Sequence, residues 1–131
     1  MKRPLLMMAL LAFALPLRAQ APLDGKAVFA RNCAACHQAS GAGIPGAFPA
    51  LKGNVYVQGD PALVIGTVLK GRGGMPAFAA SLDDGQLAAV LTYVRGGWGN
   101  HAAGVTAEQV AAVRAGANAP ASTQEKGTII H

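Results

Sequence analysis

No third cysteine accompanies Cys33 and Cys36 in this 131-residue chain, which excludes a four-thiolate zinc site and any framework of several disulfides. His101 and His131 stand too far apart to form the second arm of a Cys2His2 site. Lys and Arg never cluster with interleaved aromatics, so nucleic-acid binding has no footing. No stretch alternates as a strand would, and no segment repeats. Aromatic residues make up only 5% of a chain that is 52% hydrophobic. An alanine- and glycine-rich domain so short of large core fillers is marginal without a staple or cofactor. The length allows one domain at most.

What is present is concentrated in Cys33-Ala34-Ala35-Cys36-His37. This C-x-x-C-H run is the attachment signature of a c-type haem. Cysteines three apart on one helical turn point the same way, so both thiols can add to the two vinyl groups of one porphyrin. The histidine that follows lies under the iron as its proximal ligand. Three other readings share these residues, and each lacks something. A zinc site lacks ligands. A thioredoxin-like pair should follow a buried strand, whereas Ala27-Val28-Phe29-Ala30 reads as helix. A plain disulfide leaves His37 without a role.

Residues 1–19 read as a secretory signal peptide: Lys2 and Arg3, then the apolar run Leu5–Leu15, then Pro16-Leu17-Arg18-Ala19. Cleavage after Ala19 is expected; Ala21 also fits the small-residue rule but would leave Pro22 at the new N-terminus. The apolar run is shorter than the ~20 residues a membrane span needs, so no membrane anchor is expected. No cysteine follows the run, so a lipid anchor is not expected either. The leader holds three of the eleven cations, leaving eight against six acidic groups. Two haem propionates would bring that balance to about zero.

The remainder reads as short helices joined by glycine-rich loops, an all-α domain over residues 24–114 with a C-terminal tail at 115–131. Asp24 caps a helix from Gly25 to about Cys33, with Val28 and Phe29 inward. Gly25, costly early in a helix, implies a close helix–helix approach. Ser40–Asn54 is a long Gly/Pro-rich loop. Asp60-Pro61 starts a helix that ends at Gly71. Ser81 and Asp84 predict a capping box for the next, whose Leu87, Val90, Leu91 and Val94 form an apolar stripe that Gly96-Gly97 stops. Thr106–Gln109 caps a last short helix with Val110 and Val113 on one face.

Met75 is the only methionine outside the leader. A lone Met is more often core filler than ligand. Here it sits in Gly71-Arg72-Gly73-Gly74-Met75-Pro76, where Pro76 pushes it into an extended conformation. Downstream of C-x-x-C-H, that reads as a thioether held against the iron. Tyr56, Arg72 and Trp98 carry donors for the propionates, and His101 reads as a solvated loop residue.

From Asp24 to Arg95 the chain resembles a class I cytochrome c, a small all-α fold of short helices around one covalent haem. Pro49-Ala50-Leu51-Lys52-Gly53 resembles that family's P-x-L-x-G, which implies that the Pro49 carbonyl accepts the Nδ1–H of His37 and fixes its tautomer. The resemblance also implies that Gly25 and Phe29 pack against Val90 and Tyr93. Met75-Pro76-Ala77-Phe78, Tyr93-Val94-Arg95, Trp98-Gly99-Asn100 and Val105–Arg114 are similar to haem domains in the cytochrome subunits of periplasmic alcohol and gluconate dehydrogenases.

With His37 and Met75 in both axial positions, no place is left for oxygen, peroxide or substrate. The expected function is that of a periplasmic one-electron carrier, not an enzyme, working between a dehydrogenase, cytochrome complex or terminal oxidase as redox partners. The competing functions need an openable iron: a haem peroxidase or sulfur-compound oxidoreductase, or a gas sensor with a labile Met.

Overall fold

The computed structural model describes residues 22–118; the expected leader at residues 1–19, and residues 119–131 of the expected tail, lie outside the described residues. Five helices follow in order: α1 (Gly25–Asn32), α2 (Ala34–His37), α3 (Pro61–Lys70), α4 (Asp84–Gly96) and α5 (Ala107–Asn118). The only β-pairings among the described residues are two isolated bridges, Ile44 with Phe48 and Arg72 with Met75.

Local chemistry sets the helix starts. The Asp24 carboxylate accepts the Lys26 N–H at 3.0 Å, and that of Asp60 accepts the Ala62 N–H at 2.8 Å with Pro61 in the first turn, each satisfying an amide the helix cannot. For α4 the box is shifted from the expected one. Asp83 is the cap, accepting from Gln86 N–H at 2.8 Å, while the Gln86 side chain accepts the Asp83 N–H at 3.0 Å. Ser81 lies in the preceding turn. Thr106 and Gln109 make the same reciprocal pair at α5. That helix runs on through Asn118, four residues into the segment read as tail.

The apolar stripe of α4 is buried in full: Leu87, Val90, Leu91 and Val94 join Val28, Phe29, Ile65, Leu69 and Val110 in one core. α1 crosses α4 closely. A Cβ on Gly25 would fall inside the Ala89 carbonyl, 2.7 Å from its carbon and 3.0 Å from Tyr93 Cβ. Beside the crossing, Phe29, Tyr93 and Trp98 stack at centroid distances of 5.2 to 5.5 Å. Gly25→Ala is therefore expected to destabilise the fold by about 2 kcal/mol, because the overpacking cost outweighs the ~1 kcal/mol helix-propensity gain. A denaturant midpoint that rises instead would mean the crossing has slack.

α5 lies across both α3 and α4. Val110 is fully buried, and Val113 stands 3.9 Å from where a Cβ on Gly66 of α3 would be. Upstream of it, Thr92 of α4 exchanges two hydrogen bonds with the Val105 backbone, at 2.9 and 3.1 Å.

Candidate functional site

The C-x-x-C-H run straddles the junction of α1 and α2. α1 ends at Cys33, whose N–H closes on the Phe29 carbonyl at 2.9 Å, and α2 carries Cys36 and His37 one turn on. Both thiols are free and half-buried. Burial, with Cys36 adding to it, pushes the Cys33 thiol up to about 11 before attachment.

Gln38 ends α2 in the left-handed region at φ 64°, and the chain folds back under the motif. Gly43 N–H bonds to the His37 carbonyl at 3.0 Å, and Leu51 and Lys52 N–H both bond to the Gly41 carbonyl. This return brings the Pro49 carbonyl to 2.9 Å from His37 Nδ1. A carbonyl only accepts, so Nδ1 carries the proton, and in the neutral ring Nε2 is the nitrogen with the lone pair that can bind a metal. Gly43 makes the approach possible: at φ 64° a Cβ there would lie 2.6 Å from the Pro49 carbonyl carbon and oxygen.

Met75 sits on a separate connection, between α3 and α4. Its N–H and C=O both pair with Arg72, at 3.0 and 3.1 Å. The turn closes over Gly71 at φ 76°, where a Cβ would meet the Met75 carbonyl oxygen at 2.5 Å. Beyond Pro76, the Phe78 and Ala79 amides bond to the Val68 and Leu69 carbonyls at 3.0 and 3.3 Å, capping acceptors that the end of α3 leaves unpaired. The side chain itself is half-buried.

The three propionate candidates fare differently. Trp98 gives its Nε1–H to the Ala39 carbonyl at 3.0 Å, so that donor is spent and the expectation for it is corrected. The Tyr56 hydroxyl lies 2.7 Å from Thr67 Oγ1 and 3.2 Å from the Leu63 carbonyl. Arg72 stacks over the Tyr56 ring at 5.6 Å. His101 is exposed, as expected.

Sequence reasoning missed two buried polar residues that tie this half together. Asn100, 2% exposed, accepts from Gly53 N–H and donates to the Leu51 and Val94 carbonyls; it thus pins the P-x-L-x-G loop to the end of α4. Arg95, 3% exposed, donates to the carbonyls of Val57, Gly59 and Ala103. A cation in the last turn of a helix is ordinary complement to the helix dipole, so nothing in the sequence marked Arg95 as a core residue.

The residues fit a covalently attached haem. Two thiols lie one turn apart beside an imidazole of fixed tautomer, and of the six large apolar side chains left exposed among the described residues, five (Ile44, Phe48, Val55, Tyr56 and Leu63) belong to the segment that follows the motif. Uncovered apolar surface of this kind calls for a partner.

Residues 20–94 match the family described as cytochrome C oxidase, cbb3-type, subunit III. The chain is 36% identical over 112 residues to the cytochrome c subunit of quinone alcohol dehydrogenase from Gluconobacter oxydans, covering 76% of this chain and 23% of that one. It is 36% identical over 104 residues to the gluconate 2-dehydrogenase cytochrome c subunit of Pantoea cypripedii, covering 69% and 24%. It therefore spans about a quarter of the length of these subunits. Cytochrome c6 of Leptolyngbya boryana is 40% identical over 78 residues, 58% of this chain and 91% of that one. Among solved structures, cytochrome c6 from the diatom Phaeodactylum tricornutum aligns with a TM-score of 0.48 at 33% identity, over 56% of this chain and 90% of that one.

Proposed function

The chain belongs to the cytochrome c family and carries haem c covalently, and from that footing we propose that it is a periplasmic one-electron carrier ligated by His37 and Met75 and attached through Cys33 and Cys36. A haem so held supplies a one-electron couple. The observation that carries the reading is the His37–Pro49 hydrogen bond at 2.9 Å, which orients Nε2 toward a metal and raises its basicity. Met75, on a turn braced at Gly71 and Arg72, closes the opposite position, so the residues present leave no opening for a substrate. The leader expected at residues 1–19 would deliver the chain to the periplasm.

Its partners on this reading are redox proteins: a dehydrogenase or cytochrome complex on one side and a terminal oxidase on the other, the kinds of assembly in which its relatives are subunits. Docking is brief, with under ~1,200 Å² buried in total. The apolar rim consists of exposed Ile44, Ala47 and Ala77 with half-buried Phe78. With charge near zero once propionates are counted, the transfer rate is expected to change little with ionic strength.

Carbon monoxide tests the closed iron. The reduced protein is expected not to bind it at neutral pH, and stopped-flow reduction by a quinone dehydrogenase is expected to hold its rate across a salt series. Prompt binding, or peroxidase turnover, would replace the carrier with an enzyme or sensor; a steep fall in rate with salt would replace the apolar rim with a charged one.

A further inference from the structure

We propose that Arg114, on the helix beyond the family match, is a positioning residue that fastens the Met75 loop and so governs how readily the sixth ligand lets go. The inference rests on the reading of Met75 as that ligand. The Met75 loop is the connection between α3 and α4, and α5 lies across both helices it joins. Arg114 reaches from α5 into the return limb of that connection. Its Nε donates to Asp84 Oδ1 at 2.8 Å, one terminal nitrogen to the Ala79 carbonyl at 2.6 Å and the other to the Leu82 carbonyl at 2.9 Å. All three nitrogens of the guanidinium are thus spent on residues 79–84, and the ion pair with Asp84 is the only one among the described residues.

Besides the core packing of Leu82 and Phe78, the geometry gives the limb few other anchors. Between Met75 and the start of α4, the Phe78 and Ala79 amides bond to the end of α3, and the Ser81 and Leu82 amides bond to the Phe78 carbonyl within the same turn. Releasing a thioether from iron requires this limb to swing away. That breaks the two bonds to α3 and, with Arg114 in place, pulls two carbonyls off a half-buried cation as well. Charge-assisted bonds of this kind are the stronger ones. The family model stops at residue 94, so Arg114 and α5 lie outside the segment it matches, in the extension that resembles the dehydrogenase cytochrome subunits.

The test compares the haem-loaded wild type with Arg114→Ala, Arg114→Lys and Thr92→Val, the last a control that loosens the same extension on its far side from the loop. Imidazole binding to the oxidised protein reports loop opening, and hydrogen exchange at the Ser81 and Leu82 amides reports the limb itself. Arg114→Ala is expected to bind imidazole about tenfold faster or more and to exchange those amides faster. Arg114→Lys, a cation without the planar fork, should fall between. Thr92→Val should lower overall stability and leave both readouts alone.

Wild-type rates in both Arg114 variants, or an equal rise in Thr92→Val, would overturn the proposal. Should Arg114→Ala fail to load haem, the lysine variant decides by the same two measurements. A wild-type spectrum without a thioether band would defeat the Met75 assignment instead, and amide exchange in the variants would still decide whether Arg114 holds the limb.

Discussion

Replacing Cys33 and Cys36 together by alanine is expected to yield a colourless chain with most of its helical signal lost. Among the described residues, the buried apolar core contains a single aromatic, Phe29, and is otherwise Val, Leu, Ile and Ala. The segment from Gln38 to Asp60 has no helix at all and only one isolated bridge, while Ile44, Phe48, Val55 and Tyr56 within it are left exposed. A domain this small has little reserve, and a group bound only by the folded state contributes its binding free energy to folding. Taking the anchor away should remove both. Denaturing gels stained for haem should show colour on the wild-type band and none on the double variant. Colour extracted from the wild type into acidified organic solvent would mean the attachment is not covalent. Cooperative unfolding retained by the double variant would mean the core needs no haem.

The parts of this fold legible in the sequence are those set by near neighbours. Asp24, Asp60-Pro61 and Thr106–Gln109 act as caps because the donor and acceptor lie two or three residues apart, and the α4 stripe follows from the helical period alone. One error was also local. Ser81 and Asp84 satisfy the box pattern, but Asp83 and Gln86 satisfy it with a side chain long enough to reach back, and they prevail. The extra turn of α5 past Ala115 carries no apolar period to announce it. Among contacts between distant segments, the Gly25 approach to α4 came from the cost of a glycine early in a helix, and the Phe29–Tyr93 packing and the His37–Pro49 bond came from the family resemblance; the others were not legible. Trp98 looked like a spare donor until Ala39, 59 residues away, came within reach. Arg95, Asn100 and Arg114 each find partners 32 to 49 residues back among main-chain carbonyls, and an acceptor present in every residue leaves no mark in a sequence.

Met75→Ala is expected to abolish the sulfur-to-iron charge-transfer band and to let carbon monoxide or imidazole bind at once. The effect depends on the loop as much as on the methionine. A thioether is a weak ligand, so a flexible chain would lose it readily. Here the backbone on either side is fixed: the Arg72–Met75 bridge closes the turn, Gly71 in the left-handed region brings the two limbs together, and Phe78 and Ala79 seal against the end of α3. Alanine keeps all of these contacts, so the variant should fold with the loop in place and the position empty. Met75→His presents a nitrogen from the same place. A second imidazole favours oxidised iron more than a thioether does, and the potential should fall by on the order of 100 mV. Spectroelectrochemical titration of the three proteins reads both effects. An alanine variant with the wild-type band and wild-type potential would show that the sulfur was never bound.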